Sequence, residues 1–348
     1  MPYSNIDDGS QYFQVDVYTG GQTITFDGNS DLQPDWAWFK ARTTAENHRV
    51  FDSSRGAGKA LLTAQQSADE TTTVLSSFNS DGVSLGTSDA QINSGSHSYA
   101  LLGWKMNGGS TTSFSESGDN PGGTHQANTT AGFSIVRYTG TGAIGTVQHG
   151  LGKKPFWMLG KRLESDDNWS MYHESKGATH RWKINEAGAG QDTDSIFNDT
   201  EPTSSVFTLK TNNEINGDAE TYLMYCWAPI KGFSSFGLIK GNGSENGPRI
   251  YTGFRPRLMM LKMSDGTYSE HWNMWDSADD TKGDPCGNDI EEFHRITEAT
   301  EATSGTLDVA FFSNGFKITG SNTEQNEDNK TIAYFAWADV PFKYNNGF

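Results

Sequence analysis

His173 and Glu174 stand side by side, and an imidazole next to a carboxylate is the smallest pair that can do general base chemistry. The chain repeats itself, so this pair can be compared with its own siblings. Those are Asp52-Ser53 and Asp276-Ser277, residues that end strands by hydrogen-bonding their own backbone. The pair therefore reads as turn chemistry, and no catalytic residue is assigned. The remaining histidines lack the spacing of a zinc site. Asp27-Gly28-Asn29-Ser30-Asp31 offers oxygen ligands at alternate positions, as a calcium loop begins, but the later glycine and bidentate glutamate are missing. Asp276, Asp279, Asp280 and Asp284 form a second acidic stretch. Solvated loops are the expectation for both, with a structural Ca²⁺ on Asp27, Asn29 and Asp31 as the alternative and no other cofactor. Cys226 takes the place of Gly103 and Ala336 in the other copies, so it reads as a small buried side chain. Cys286 sits in a turn composition, and two cysteines make no disulfide framework. Among ten tryptophans, Trp38, Trp104, Trp227 and Trp337 lie in apolar strands. Trp169 and Trp272, at the edge of a strand, are the surface candidates for stacking on a ligand.

The elements that must position these residues occur three times. The copies open with Phe13 to Gly20, Phe133 to Gly140 and Phe236 to Gly243. A proline-to-lysine segment follows: Pro34 to Lys40, Pro155 to Lys161 and Pro256 to Lys262. Each copy closes from Tyr or Ile to Trp, as Tyr99 to Trp104, Tyr222 to Trp227 and Ile332 to Trp337. A period this long describes small domains of one type rather than a solenoid. In the proline-to-lysine segment apolar residues fall at both parities, which predicts a central strand covered on both faces, with only the terminal lysine reaching water. A second strand follows with Val50, Met171 and Met274 in register. Asn79 to Gly82 and Ser313 to Gly315 supply turns before further strands. The expected fold is all-β: three tandem β-sandwich or jelly-roll modules at 1–106, 132–230 and 231–348. Residues 107–131, rich in Gly, Ser and Thr, read as a linker or a long exposed loop, with the first module either set apart or used for attachment. The one helix candidate is Ile290 to Ala299, with Ile290, Phe293 and Ile296 at spacing three behind Asn288 and Asp289.

Acidic residues outnumber basic ones 43 to 26, for a net charge of −17. That argues against nucleic-acid binding, whose phosphate affinity comes from Lys and Arg, and against adhesion to anionic membranes. The longest apolar run, Tyr222 to Pro229, is far below the roughly 20 residues that span a bilayer. Met1 to Asp8 lacks the basic flank and apolar core of a classical secretion signal, so if the protein acts outside the cell that makes it, another route is expected, such as release of assembled particles on lysis.

Tyr18-Thr19-Gly20, Asp31 through Arg42, His48 through Gly56, Phe133 through Gly140 and Ile250 through Pro256 together resemble the repeated module of uncharacterised virion proteins of marine tailed phages, including cyanophages. The resemblance spans essentially the whole chain. It implies a non-enzymatic structural or adhesive part of a particle, on the virion exterior, such as a tail appendage or fibre component in host attachment. Implied partners are other virion proteins, further copies of the chain, and a host-surface glycan or protein. A capsid or vertex decoration protein is the first alternative, and a glycan-degrading tailspike enzyme the second. The tailspike lacks its expected carboxylate cluster and β-helix pattern.

Overall fold

Strand Trp36–Ala41 sits between Ser98–Trp104 and Arg49–Asp52 in the computed structural model, and that neighbourhood recurs. The structure describes residues 4–21, 23–265, 271–277, 289–290, 292–297, 301–303 and 307–338. Leu258–Met263 lies between Thr331–Trp337 and Asn273–Asp276, and Trp157–Arg162 between Thr221–Trp227 and Ser170–His173. All these ladders are antiparallel, so the chain is all-β as expected. Each six-stranded sheet is backed by a smaller one: Thr23–Ile24, Val83–Leu85 and Leu75–Phe78 in the first unit, Gly145–Gln148 with Val206–Leu209 in the second. In the third it is Arg249–Tyr251, Gly315–Ile318, Val309–Phe312 and Asp289–Ile290.

Alternation along the central strands explains the packing. Ala37 and Phe39 face the small sheet of their own unit, whereas Trp36 and Trp38 point to a core shared by all three units. Met158 and Trp157 divide in the same way, as do Met259 and Leu258. The shared core is an aromatic ring. Ring centroids are 4.7 Å apart for Trp36 and Trp104, 5.6 Å for Trp104 and Trp337, and 6.1 Å for Trp337 and Trp157. Trp157 stacks on Trp227 at 3.8 Å, and Trp227 returns to Trp36 at 5.3 Å. Five tryptophans from three units thus close a loop, with Leu258 completing the sixth equivalent position opposite Trp337. The inner faces of the large sheets surround a pseudo-three-fold axis.

Four expectations are corrected by this arrangement. The first unit is not set apart, because Trp36 and Trp104 sit in the shared ring. Residues 107–131 are not a plain linker: Thr112–Phe114 and Gly123–Asn128 extend the second sheet beyond Phe133–Thr139. Their approach is pinned by Asp35, whose carboxylate accepts from the backbone N–H groups of Met106 at 2.7 Å and of Gly108 and Gly109 at 2.9 Å, and from Ser53 Oγ at 2.6 Å. Positive φ at Gly108 (61°) and Gly109 (79°) is what lets these N–H groups converge. Asp35→Asn, which removes the charge and one acceptor oxygen, should cost about 2 kcal/mol in denaturant unfolding. It should also speed proteolytic cleavage near residue 109; unchanged cleavage would show that Asp35 does not hold the loop.

The helix candidate is the third correction. Within it, Asp289–Ile290 and Glu292–Arg295 are strands, and Ile290 pairs with Val309 in the small sheet while Asn273 pairs with Arg295 in the large one. Its apolar residues serve two cores: Ile290 and Phe293 the third unit's own, Ile296 the shared one. The fourth correction is register. Trp104 and Trp227 pair with Phe13 and Phe133, but Trp337 pairs with Ser234, so the third copy is aligned two residues earlier than Phe236 implies. A slip of two keeps every side chain on its face, and Phe236 still enters the shared core.

Candidate functional site

Trp169 and Trp272, the expected surface aromatics, are fully buried and tie the units together. Trp169 Nε1 donates to Leu62 O of the first unit at 3.0 Å, and Trp272 Nε1 donates to Lys183 O of the second at 3.1 Å. His48, in the same register position, faces the Arg295 backbone of the third unit and the His294 ring, 6.2 Å away. Each unit thus offers an N–H-bearing ring to a neighbour's backbone. The signal in the sequence was that Trp, Trp and His are all such rings.

The three lysines that end the central strands are buried, contrary to expectation. Lys161 Nζ donates to Gln66 O across the junction at 3.0 Å and to Ser165 O at 3.3 Å, and burial lowers its pKa to about 8. Lys262 Nζ reaches Ala187 O of the second unit at 3.0 Å and lies 5.9 Å from the Trp272 ring centroid. Lys40 Nζ donates to Glu46 O at 2.7 Å. A long apolar stem with three terminal donors can cross a junction and saturate carbonyls that have no ladder partner.

His173 is packed among the rings of Phe156, Trp182 and Phe335, with centroids 5.0 to 5.2 Å away. Its Nδ1 accepts from Ser175 N at 3.3 Å, the turn bond expected of it, and burial depresses its pKa to about 3. Glu174 instead meets Lys154 at 3.1 Å. Asp52, the sibling of His173, caps Arg55 N at 3.0 Å and accepts from Tyr225 Oη of the second unit at 2.9 Å. Burial opposes the charge on Arg55, but Asp52, Tyr225 and Asp69 outweigh it and raise its pKa. Cys226 is buried in the second unit's core, and burial pushes its thiol up. Cys286, Asp279, Asp280 and Asp284 lie outside the described residues.

Asp27, Asn29 and Asp31 are exposed. Their loop is organised by Gln14, which accepts from Gly28 N at 2.8 Å and donates to Ser30 O at 2.8 Å. Asp27 and Asn29 line a cleft of about 300 Å³ together with Arg257, whose charge opposes a cation there. Among the described residues no three His, Cys, Asp or Glu side chains gather to hold a metal ion.

A buried asparagine that sequence reasoning missed recurs in every unit. Asn93 Nδ2 bonds Gly86 O and Thr87 O, and Asn216 Nδ2 bonds Ala143 O and Lys210 O. Asn326 Nδ2 bonds Ser244 O and Gly320 O. The oxygen of each accepts from the turn that ends the opening strand, at Gly21 N, Thr141 N and Asn242 N. These residues set loop ends.

The outer sheet of the third unit carries residues that the other copies lack. Arg249 and Tyr251 flank the inward Ile250 on its edge strand. The Arg249 guanidinium lies 5.4 Å from the Tyr251 ring centroid and 4.4 Å from that of Phe312, and Tyr251 is 70% exposed. The equivalent residues elsewhere are Thr23 and Thr25, and Thr146 and Gln148. A second feature is a cleft of about 620 Å³ lined by Asn5, Thr130, Lys153, Ile230 and Lys231 where the second unit passes into the third.

A family model described as Domain of unknown function (DUF7483) matches residues 8–341, across all three units. No curated protein matches the chain, and no solved structure does.

Proposed function

The chain belongs to the DUF7483 family, and from that premise we propose that it is a non-enzymatic structural protein of a phage virion, a tail appendage or fibre component that contributes to host-surface attachment. The observation that carries this reading is the closed aromatic ring. It joins three β units through one core with three small sheets on the outside, a form suited to presenting contacts in many copies rather than to enclosing a substrate. The inviting acid–base pair supports it too, since His173 is committed to ring packing and Glu174 to Lys154. The charge of −17 suits a particle exterior at high local copy number. Its partners are other virion proteins and further copies of itself, with a host-surface glycan or protein at the tip.

The pseudo-three-fold axis favours one second reading, a decoration protein seated at a three-fold position of a capsid shell. Immunogold labelling of intact particles decides between them. Label at the tail is expected; label over the shell would replace the attachment reading with decoration. Incubating the purified protein with host-surface polysaccharide should release no new reducing ends, and their appearance would make the protein an enzyme.

A further inference from the structure

We propose that the outer sheet of the third unit, at Tyr251, Arg249 and Lys317, binds an acidic saccharide, the pyranose ring lying on the phenol and its carboxylate between the two cations. This deepens the attachment reading and rests on it.

Four observations converge. Tyr251 is the most exposed large hydrophobic side chain among the described residues. Directly across the ladder from it stands Gly315, with no side chain to cover the ring. A Cβ at Gly315 would come 1.9 Å from Ile250 O, so the position stays bare. Arg249 is braced by Tyr251 and Phe312 and by Asn314 Oδ1 at 3.2 Å, which fixes the guanidinium without neutralising it. Lys317, the ladder partner of Arg249, bonds Asn246 Oδ1 at 2.7 Å, and neither cation pairs with a carboxylate among the described residues.

Charge selects the ligand. In a chain of −17, two cations beside an open ring without an acidic partner form a local inversion of sign, complementary to a carboxylate. Planar guanidinium and carboxylate match in two parallel hydrogen bonds. The ring supplies the apolar half of the contact, because the axial C–H face of a pyranose fits a phenol face as aromatic carbons do. The first and second units control for the fold itself: Thr23 and Thr25 flank the inward Ile24, and Thr146 and Gln148 flank Val147, without ring or charge.

The test titrates the purified full chain with tri-galacturonate, with neutral maltotriose in parallel, at low and high salt. Weak binding of tri-galacturonate alone is expected, weakened by salt. It should fall at least about tenfold in Tyr251→Ala and in Arg249→Gln, and stay unchanged in Thr23→Ala. Equal binding by Tyr251→Ala and the parent chain, equal affinity for maltotriose, or no binding of tri-galacturonate up to about 10 mM would overturn the site. Self-association through the edge strand, abolished by Tyr251→Ala and without saccharide binding, would overturn it in favour of a second copy. Labelled protein applied to host cells separates the levels: adhesion that survives Tyr251→Ala removes this site and leaves attachment standing, and no adhesion by the parent removes both.

Discussion

Trp157→Ala is expected to destabilise the whole chain by about 3–5 kcal/mol, the range for emptying a large aromatic site in a close-packed core. Trp157 is fully buried, stacked on Trp227 at 3.8 Å and set against Phe335 at 5.0 Å, so its removal leaves a void lined by two units. The stability of a domain is only about 5–15 kcal/mol, which makes this one side chain a large fraction of the margin. Because the ring is shared, the parent should unfold in one calorimetric transition, and Trp157→Ala should lower that transition as a whole. Three separate transitions, with only the second moved, would refute a common core. Trp157→Phe keeps a ring and serves as the milder variant if alanine prevents folding. Pairing either change with Trp337→Ala should give a non-additive loss, since the two indoles are 6.1 Å apart.

Acidification from pH 7 to pH 5 should remove about 4 kcal/mol through His173 and His149 alone. Burial holds their pKa values at about 3 and about 4 in the folded chain, against about 6.5 when unfolded. The unfolded state therefore binds more protons between these limits, and stability present above pH 6.5 is lost as the pH falls, by about 2 kcal/mol per histidine at pH 5. Geometry argues the same way. Nδ1 of His173 accepts from Ser175 N, and Nδ1 of His149 accepts from Leu151 N at 3.2 Å, so a proton on either nitrogen breaks a bond. His48 adds to the loss, its Nδ1 accepting from Trp38 Nε1 at 2.9 Å and its pKa held down by burial, Lys40 and His294. Urea midpoints at pH 7, 6 and 5 check this, together with His173→Gln, which should flatten the dependence. A midpoint that does not move with pH would show that these rings charge freely.

The strands were legible because a period of two is written locally. Trp36, Ala37, Trp38 and Phe39 are apolar at both parities, and the strand they form is indeed covered on both faces. What covers the inner face was not legible, since the partners of Trp36 are Trp227 and Tyr225, nearly two hundred residues away. Buried lysines were misread for the same reason: the carbonyls of Gln66 and Ala187 that accept from them belong to other units. Spacing three at Ile290, Phe293 and Ile296 suggested a helix because helix and bent strand are alike when a segment crosses between sheets. The site candidates fared worst. Trp169 and Trp272 sit at strand edges, yet an edge within one unit is a junction between two, and only the closed ring reveals it.

Closure of that ring also has a price in time on the ribosome. Trp104 meets Trp337, and Arg257 Nη2 donates to Val15 O, so the first unit cannot cover its inner face until the last strand has been made. From residue 104 to residue 337 is 233 residues, about 12–47 s of synthesis at about 5–20 residues per second. Through that interval Trp36, Trp38 and Leu102 form an open apolar wall on a nascent chain. Chaperone demand and truncation sensitivity should therefore concentrate at strand Thr331–Trp337.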